Sequence, residues 1–385
     1  MSGHGGSLAR DFRIAADAAR LAPRLDRRHG GDVDGWARSA GIEAGEVLDF
    51  SASINPLGPP PSVRKVFIKS FSAISRYPDP YGDQLKQALA KHHGMKTTEV
   101  LVGNGSTQLI YLLCAALRPR TALVVGPAFS EYANALALAG ANVRQFSLSA
   151  AAGFQFSTAR LLAAWDKDCD IVFLASPNSV TGQLIPQKDI ERIAQVASTK
   201  KCLVVVDEAF IDFIERESVK KLTRHNPYLV VLRSLTKYYA LPGLRLGYLL
   251  GAAPRVAQLA AYQEPWSVNA PALSVARACL KDAGFTMTTA RWLEKERTFL
   301  AQKLAALAGF RPFPSQTNFL LVKIDEPRMD ALQLRSFLSR NNILIRACDS
   351  FAGLGADYFR IAVKRRKDNL RLLAALREWT ALSIG

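Results

Sequence analysis

Leu203-Val204-Val205-Val206-Asp207-Glu208-Ala209 is the stretch that decides how this chain is read. A continuous apolar, β-branched run suits a strand buried on both faces, because a half-exposed strand would alternate polar and apolar residues. Similar runs recur at 100–102, 122–125, 143–146, 171–175, 229–232 and 246–250, separated by longer helix-compatible segments. A mostly parallel sheet covered by helices satisfies that pattern, so the middle of the chain reads as a three-layer α/β domain. Sites in such sheets gather at the carboxyl ends of strands. Asp207 closes one of these runs.

Downstream stand Ser234-Leu235-Thr236-Lys237 and then Arg245-Leu246-Gly247. A lysine amine can condense with an aldehyde, and a hydroxyl and a guanidinium beside it can hold a phosphate. Such groups also occur together by chance; Asp207 gives them weight. A carboxylate at a strand end can face a pyridine nitrogen and keep it protonated, and the set then fits one cofactor, pyridoxal 5′-phosphate (PLP).

Other segments add to the set. Gly103-Asn104-Gly105-Ser106-Thr107 follows a strand run and opens a helical segment at 108–117. Alone it reads as a helix cap with Ser106 or Thr107 at the N-cap. Beside Ser234, Lys237 and Arg245 it reads as an anion site, where free N–H groups and the helix dipole meet a phosphate. Pro177-Asn178 follows the run 171–175; its amide can donate to the phenolate oxygen of PLP, although turn chemistry favours the same residues. Phe129 is positioned either to lie on the pyridine ring or to fill the core. Tyr77, in Arg76-Tyr77-Pro78-Asp79-Pro80-Tyr81-Gly82, sits on a proline-ordered loop from which it could reach a phosphate. Arg346 and Arg360 each adjoin a strand run and suit bidentate capture of a carboxylate or phosphate, or a surface ion pair.

The 385 residues fit two domains, or one large domain with a cap. We expect an extension at 1–28, a segment at 29–60 packed on the small domain, a large PLP-binding domain at 61–275 and a small α+β domain at 276–385. The last should hold a helix at 288–307 and strands at 319–324, 343–346 and 358–363. Lysine and arginine total 50 against 33 acidic residues, a net charge of +17. These charges are dispersed rather than massed with aromatics, which argues for a solvated basic surface and against a nucleic-acid partner. Lys364-Arg365-Arg366-Lys367 reads as a charged helix start. No apolar run approaches the roughly 20 residues of a membrane helix, so no membrane partner is expected. Five cysteines without a CxxC pair suit reduced thiols in a cytoplasmic protein. The histidines lack zinc spacing, so no metal is expected, and His92-His93 reads as a helix surface and its turn.

In order, NGST at 104–107, SPN at 176–178, DEAFIDF at 207–213, SLTK at 234–237 and GLRLGY at 243–248 resemble the fold-type I PLP-dependent transferases of the class I/II aminotransferase superfamily. The resemblance runs from about residue 28 to the end. Within that superfamily the chain is most similar to the threonine-phosphate decarboxylases of cobalamin synthesis, close relatives of histidinol-phosphate aminotransferases. Three features carry this. His29-Gly30-Gly31 precedes DFSASINPLG at 49–58, Phe210 stands in DEAF where the aminotransferases typically carry tyrosine, and ILIR at 343–346 runs into CDSF at 348–351 ahead of FRIAVK at 359–364. One departure is NSVTG at 178–182, which lacks the commoner turn proline.

The resemblance implies a role for each position. Lys237 would attach the cofactor and carry protons, Asp207 would pair with the pyridinium, and Asn178 would meet the ring oxygen. Gly105, Ser106, Thr107, Ser234 and Arg245 would cup the phosphate, while Tyr77 would reach the cofactor of a second subunit in a homodimer with shared sites. His29, Asn178, Arg346 and Arg360 would hold a small phosphorylated amino-acid substrate. The implied reaction is decarboxylation of L-threonine O-3-phosphate; the alternative is amino transfer on histidinol phosphate or a related compound.

Overall fold

The computed structural model describes residues 25, 26 and 28–384, so the expected extension lies outside the described residues except for Leu25, Asp26 and Arg28. The strands, in chain order, are β1 (Leu48–Asp49), β2 (Val100–Gly103), β3 (Thr121–Gly126), β4 (Asn142–Ser147), β5 (Ile171–Ala175), β6 (Leu203–Asp207), β7 (Leu229–Ser234), β8 (Gly247–Gly251), β9 (Phe310–Pro312), β10 (Phe319–Ile324), β11 (Ile343–Leu344), β12 (Arg346–Ala347) and β13 (Tyr358–Ala362). Seven of them form one sheet in the order β2-β8-β7-β6-β5-β3-β4. β3 to β7 pair in parallel, and β8 runs antiparallel to both β7 and β2.

The continuous apolar runs have a direct structural cause. Every residue of β5, β6, β7 and β8 is buried, and successive side chains point to opposite faces. Val204, Val206, Leu229 and Val231 enter one core, whereas Leu203, Val205, Val230 and Leu232 enter the other. Burying each such side chain contributes about 1.5–3 kcal/mol. β4, at the sheet edge, is largely exposed and accordingly more polar.

A second sheet, antiparallel, has the order β12-β13-β10-β9. Its apolar face packs with Leu300 and Leu304 of the helix Ala283–Ala305, Leu334 and Leu338 of Ala331–Ser339, and Leu372 and Leu376 of Arg366–Ile384. The expected strand 343–346 is two pieces. Ile343–Leu344 pairs in parallel with β1, while Arg346–Ala347 pairs with β13, the chain changing partners at buried Ile345. Through β1 the chain just ahead of Phe50 joins this smaller unit, and Phe50 is fully buried in its core. The helix Ala283–Ala305 links the two units, with Phe285 in the larger core.

His93 is not at a surface turn as its sequence suggested. It is buried at the end of the helix Asp83–His93, with Nε2 against the Tyr248 hydroxyl at 2.8 Å and Nδ1 against Lys220 Nζ at 2.9 Å. Burial and the nearby Arg233 cation push its pKa down, so the ring is neutral.

Arg233, next to the last residue of β7, is fully buried. Nη1 donates to Glu208 at 3.1 Å and Nη2 to Asp212 at 3.0 Å and to Glu215. Glu208 also accepts from Ser218 Oγ at 2.6 Å and Val219 N at 2.7 Å. This cluster pins the ends of β6 and β7 together, immediately beside Asp207 and Ser234. Removing its cation would leave the buried carboxylates of Glu208 and Asp212 without an ion-pair partner. We therefore expect Arg233→Ala to lower unfolding stability by about 3–5 kcal/mol, read from urea titrations, whereas Arg311→Ala, which breaks an exposed pair with Asp325, costs at most about 1 kcal/mol.

Candidate active site

The carboxyl ends of the parallel strands open into a cavity of about 710 Å³, within the roughly 300–1,000 Å³ usual for small-molecule sites. Its wall brings together Gly105, Ser106, Thr107, Phe129, Asp207, Ser234, Lys237 and Arg245, and also His29, Arg346 and Arg360. Asn178 and Tyr77 stand apart from that wall. A second hollow, of about 790 Å³, is lined mainly by Pro59–Pro61, Val63, Phe67 and 240–244 and shares none of these residues.

At one end of the cavity the helix Gly105–Leu117 begins, three residues ahead of the start read from sequence. Neither Ser106 nor Thr107 is its N-cap. The cap is Asn104, whose side chain makes no capping hydrogen bond, so the first N–H groups of the helix remain available to an anion. Gly105 has φ +78°, and a Cβ there would lie 3.0 Å from Arg245 Nη2. Gly247 is under a stricter constraint: a Cβ would fall 2.3 Å from Ser106 N, because β8 passes directly against the helix start. Ser234 Oγ and Thr236 Oγ1 lie 2.7 Å apart on the same wall.

Asp207 is buried at the end of β6. Tyr132 donates its hydroxyl hydrogen to Oδ2 at 2.6 Å, and Ala209 N donates to Oδ1 at 2.9 Å. Burial raises the carboxyl pKa, opposed by these donors and by Lys237. A pyridinium N–H would supply the cationic partner this carboxylate lacks. Lys237 has its pKa lowered to about 8, by burial first and then by the Arg360 and Arg245 cations.

Buried Arg346 donates from Nη2 to Arg28 O at 2.9 Å and to Ser350 Oγ at 2.7 Å. Arg360, its partner across the β12–β13 register, donates to Ser179 O and, at 3.3 Å, to Ser51 O, while its Nε is buried without a partner. None of these partners is a carboxylate, so surface ion pairing does not describe either arginine. Burial lowers both pKa values, that of Arg360 to about 10.

His29 is carried to the cavity by Gly30 and Gly31, which dock on Ser51. Gly31 N donates to Ser51 Oγ at 2.8 Å, and a Cβ on Gly30 would lie 2.4 Å from Ser51 O. Asn178 is buried behind the wall: Oδ1 accepts from Val180 N and Thr181 N, and Nδ2 donates to Pro127 O, all at 2.9 Å. One amide hydrogen remains for a ring oxygen. Phe129 lies at the cavity, edge-on to Tyr132. Tyr77 is 82% exposed and stacks on Trp266 at 4.9 Å.

Sequence reasoning missed Tyr132, Thr236 and Glu131. A signal was present for Tyr132 and Glu131, a polar pair at the start of an otherwise apolar, alanine-rich helical run, Ser130–Leu138.

A lysine and an aspartate in electrostatic reach of each other, beside an uncapped helix start in a three-layer α/β sheet, define a fold-type I PLP-dependent enzyme. The chain belongs to the aminotransferase class I and II family, which residues 45–376 match. It is 41% identical to the threonine-phosphate decarboxylase of Salmonella typhimurium, over 91% of this chain and 95% of that enzyme. Two crystal structures share its fold over 87% of this chain and all of theirs. One is L-threonine-O-3-phosphate decarboxylase from Porphyromonas gingivalis, at a TM-score of 0.78 and 27% identity. The other is histidinol-phosphate aminotransferase from Clostridium acetobutylicum, at 0.82 and 28%.

Only the neutral amine of Lys237 attacks an aldehyde, and the depressed pKa makes that form available near neutrality. The rate at which apoprotein captures PLP should rise with pH and level off above about 8, rather than near the ordinary lysine value of about 10.4. Arg360→Ala, which removes the second cause of the shift, should move that midpoint upward; the growth of visible absorbance reads both.

Proposed function

We propose that this enzyme decarboxylates L-threonine O-3-phosphate to (R)-1-aminopropan-2-yl phosphate, a step of cobalamin biosynthesis. The observation that carries the reading is the adjacent pair Arg346 and Arg360, set into the cavity with carbonyls and a hydroxyl for partners. Such guanidinium groups need an anion, and their planar forks suit a carboxylate or a phosphate. The 41% identity to a threonine-phosphate decarboxylase favours the same reaction.

PLP, when bound, would supply an electron sink that weakens a bond at the substrate's Cα. The residues of the chain choose that bond. Gly105, Ser106, Thr107, Ser234 and Arg245 would hold the cofactor phosphate, Asp207 its ring nitrogen and Asn178 its ring oxygen. His29, Arg346 and Arg360 would fix the substrate's phosphate and carboxylate and so select the carboxylate bond for cleavage. Lys237 Nζ would then return a proton to Cα in place of the departing carbon dioxide. Anchoring that left the Cα hydrogen as the group to be removed would suit amino transfer instead.

A homodimer with shared sites completes the proposal. Phe67, Ile68, Phe71 and Ile74 form an exposed apolar stretch that leads to Tyr77, and apolar patches of this kind mark protein interfaces. A second copy covering it would carry Tyr77 toward the neighbouring cofactor phosphate. Among the described residues no helix is long and apolar enough to cross a membrane, and five free, buried cysteines suit the reducing cytoplasm to which we assign the enzyme.

Holoenzyme given carboxyl-labelled threonine phosphate should release labelled carbon dioxide and form the amino-alcohol phosphate. Keto-acid-dependent loss of the amine from histidinol phosphate, without that release, would overturn the proposal in favour of an aminotransferase. Shared sites have their own test. Mixing Tyr77→Ala with Lys237→Ala, each nearly inactive alone, should restore up to about a quarter of wild-type activity, because one of the two sites in each mixed dimer is intact.

A further inference from the structure

Glu131 is a carboxylate in a cavity otherwise suited to anions. It lies in the first turn of the helix Ser130–Leu138, only 8% exposed, on the cavity wall beside His29. Left to itself, a buried negative charge there would repel a phosphorylated ligand. Three donors instead converge on it. His29 Nε2 lies 3.0 Å and Asn134 Nδ2 3.0 Å from Oε1, and Tyr111 donates its hydroxyl hydrogen to Oε2 at 2.5 Å.

A carboxylate only accepts, so the His29 hydrogen in this contact is on Nε2; Nδ1 is the ring nitrogen left for a ligand, and in the imidazolium form it carries a hydrogen of its own that it donates to an anion. The ring is only half-buried, and Phe129 stands 5.6 Å from it. The backbone of residues 29–31 sets where the imidazole starts, and the Glu131 contact sets which way it turns. The same carboxylate is braced from two helices, by Tyr111 of Gly105–Leu117 and by Asn134 of its own.

We propose that Glu131 is a positioning residue for substrate recognition: it holds the His29 ring by Nε2 and thereby presents Nδ1 to the anionic group of the bound substrate. This rests on reading His29 as a ligand of that group. Acting through His29, Glu131 affects ligand binding rather than the chemistry at Lys237. A competing role, in which it merely fastens the segment at Asp26 to the helix alongside Asn134, predicts an effect independent of the imidazole.

The test is a double-mutant cycle on the PLP-loaded enzyme, with inorganic phosphate as the probe, its dissociation constant read by calorimetry and the KM for threonine phosphate alongside. Retention of the Lys237–cofactor absorbance serves as the check that each variant is folded. Glu131→Ala should weaken phosphate binding and raise KM about tenfold, the scale of one charge-assisted hydrogen bond, with kcat much less affected. Glu131→Gln keeps an oxygen for His29 and a group able to meet Tyr111, and should recover most of the loss. In a His29→Ala background, Glu131→Ala should add nothing. A full, additive loss in that background overturns the inference, as does failure of Glu131→Gln to rescue, or a His29→Ala enzyme that binds phosphate normally. Absence of carbon dioxide release with the phosphate coupling intact would overturn the proposed reaction and leave this inference standing.

Discussion

The parallel pairing of β6 with β7 is the constraint on which the site depends. It sets Asp207 and Ser234 at neighbouring strand ends, and Lys237 follows from the loop that β7 feeds. Arg233 and Glu208 lie one residue from Ser234 and Asp207 along their strands, and their buried ion pair ties the strand ends together. A charge buried there is tolerable only because Glu208, Asp212 and Glu215 surround it. The cation beneath the cavity is matched by carboxylates of the protein itself, whereas Arg346 and Arg360 at the cavity have no carboxylate hydrogen-bonded to them.

That division explains the electrostatics. Arg245, Arg346, Arg360 and Lys237 place several positive charges around one small space, and Asp207 and Glu131 are the carboxylates set among them. Mutual repulsion and burial depress the Lys237 pKa and so make its amine a competent nucleophile. The same arrangement favours an anionic cofactor and an anionic substrate together. Attraction and activation arise from one charge distribution.

Much of this was legible in the residues. Six of the seven strands of the main sheet announced themselves because strands buried on both faces must be apolar throughout; β4, exposed at the edge, lacks that pattern. Their direction did not: nothing in residues 246–250 distinguishes an antiparallel strand from a parallel one, and β8 emerged as the exception. β1 and β9, two and three residues long, are too short to carry a pattern. Gly105, Ser106, Asp207, Ser234 and Lys237, which the cavity brings together, were readable because each sits at or just after a strand end or a helix start. Glu131, Tyr132 and His93 were harder, since a polar residue on a helix ordinarily faces water. Their burial comes from neighbours distant in sequence: His29, Asp207 and Tyr248.

The segment holding Asp26 and Arg28 is fastened on two sides. Asn134 exchanges two hydrogen bonds with the Asp26 backbone, while Arg28 meets Asp349 and lends its carbonyl to Arg346. It works as a splint laid across the joint between the two halves of the protein. Any rocking of one half against the other must strain these bonds, together with those from Arg360 to Ser179 and from Gln145 to Ala352 that cross the same joint.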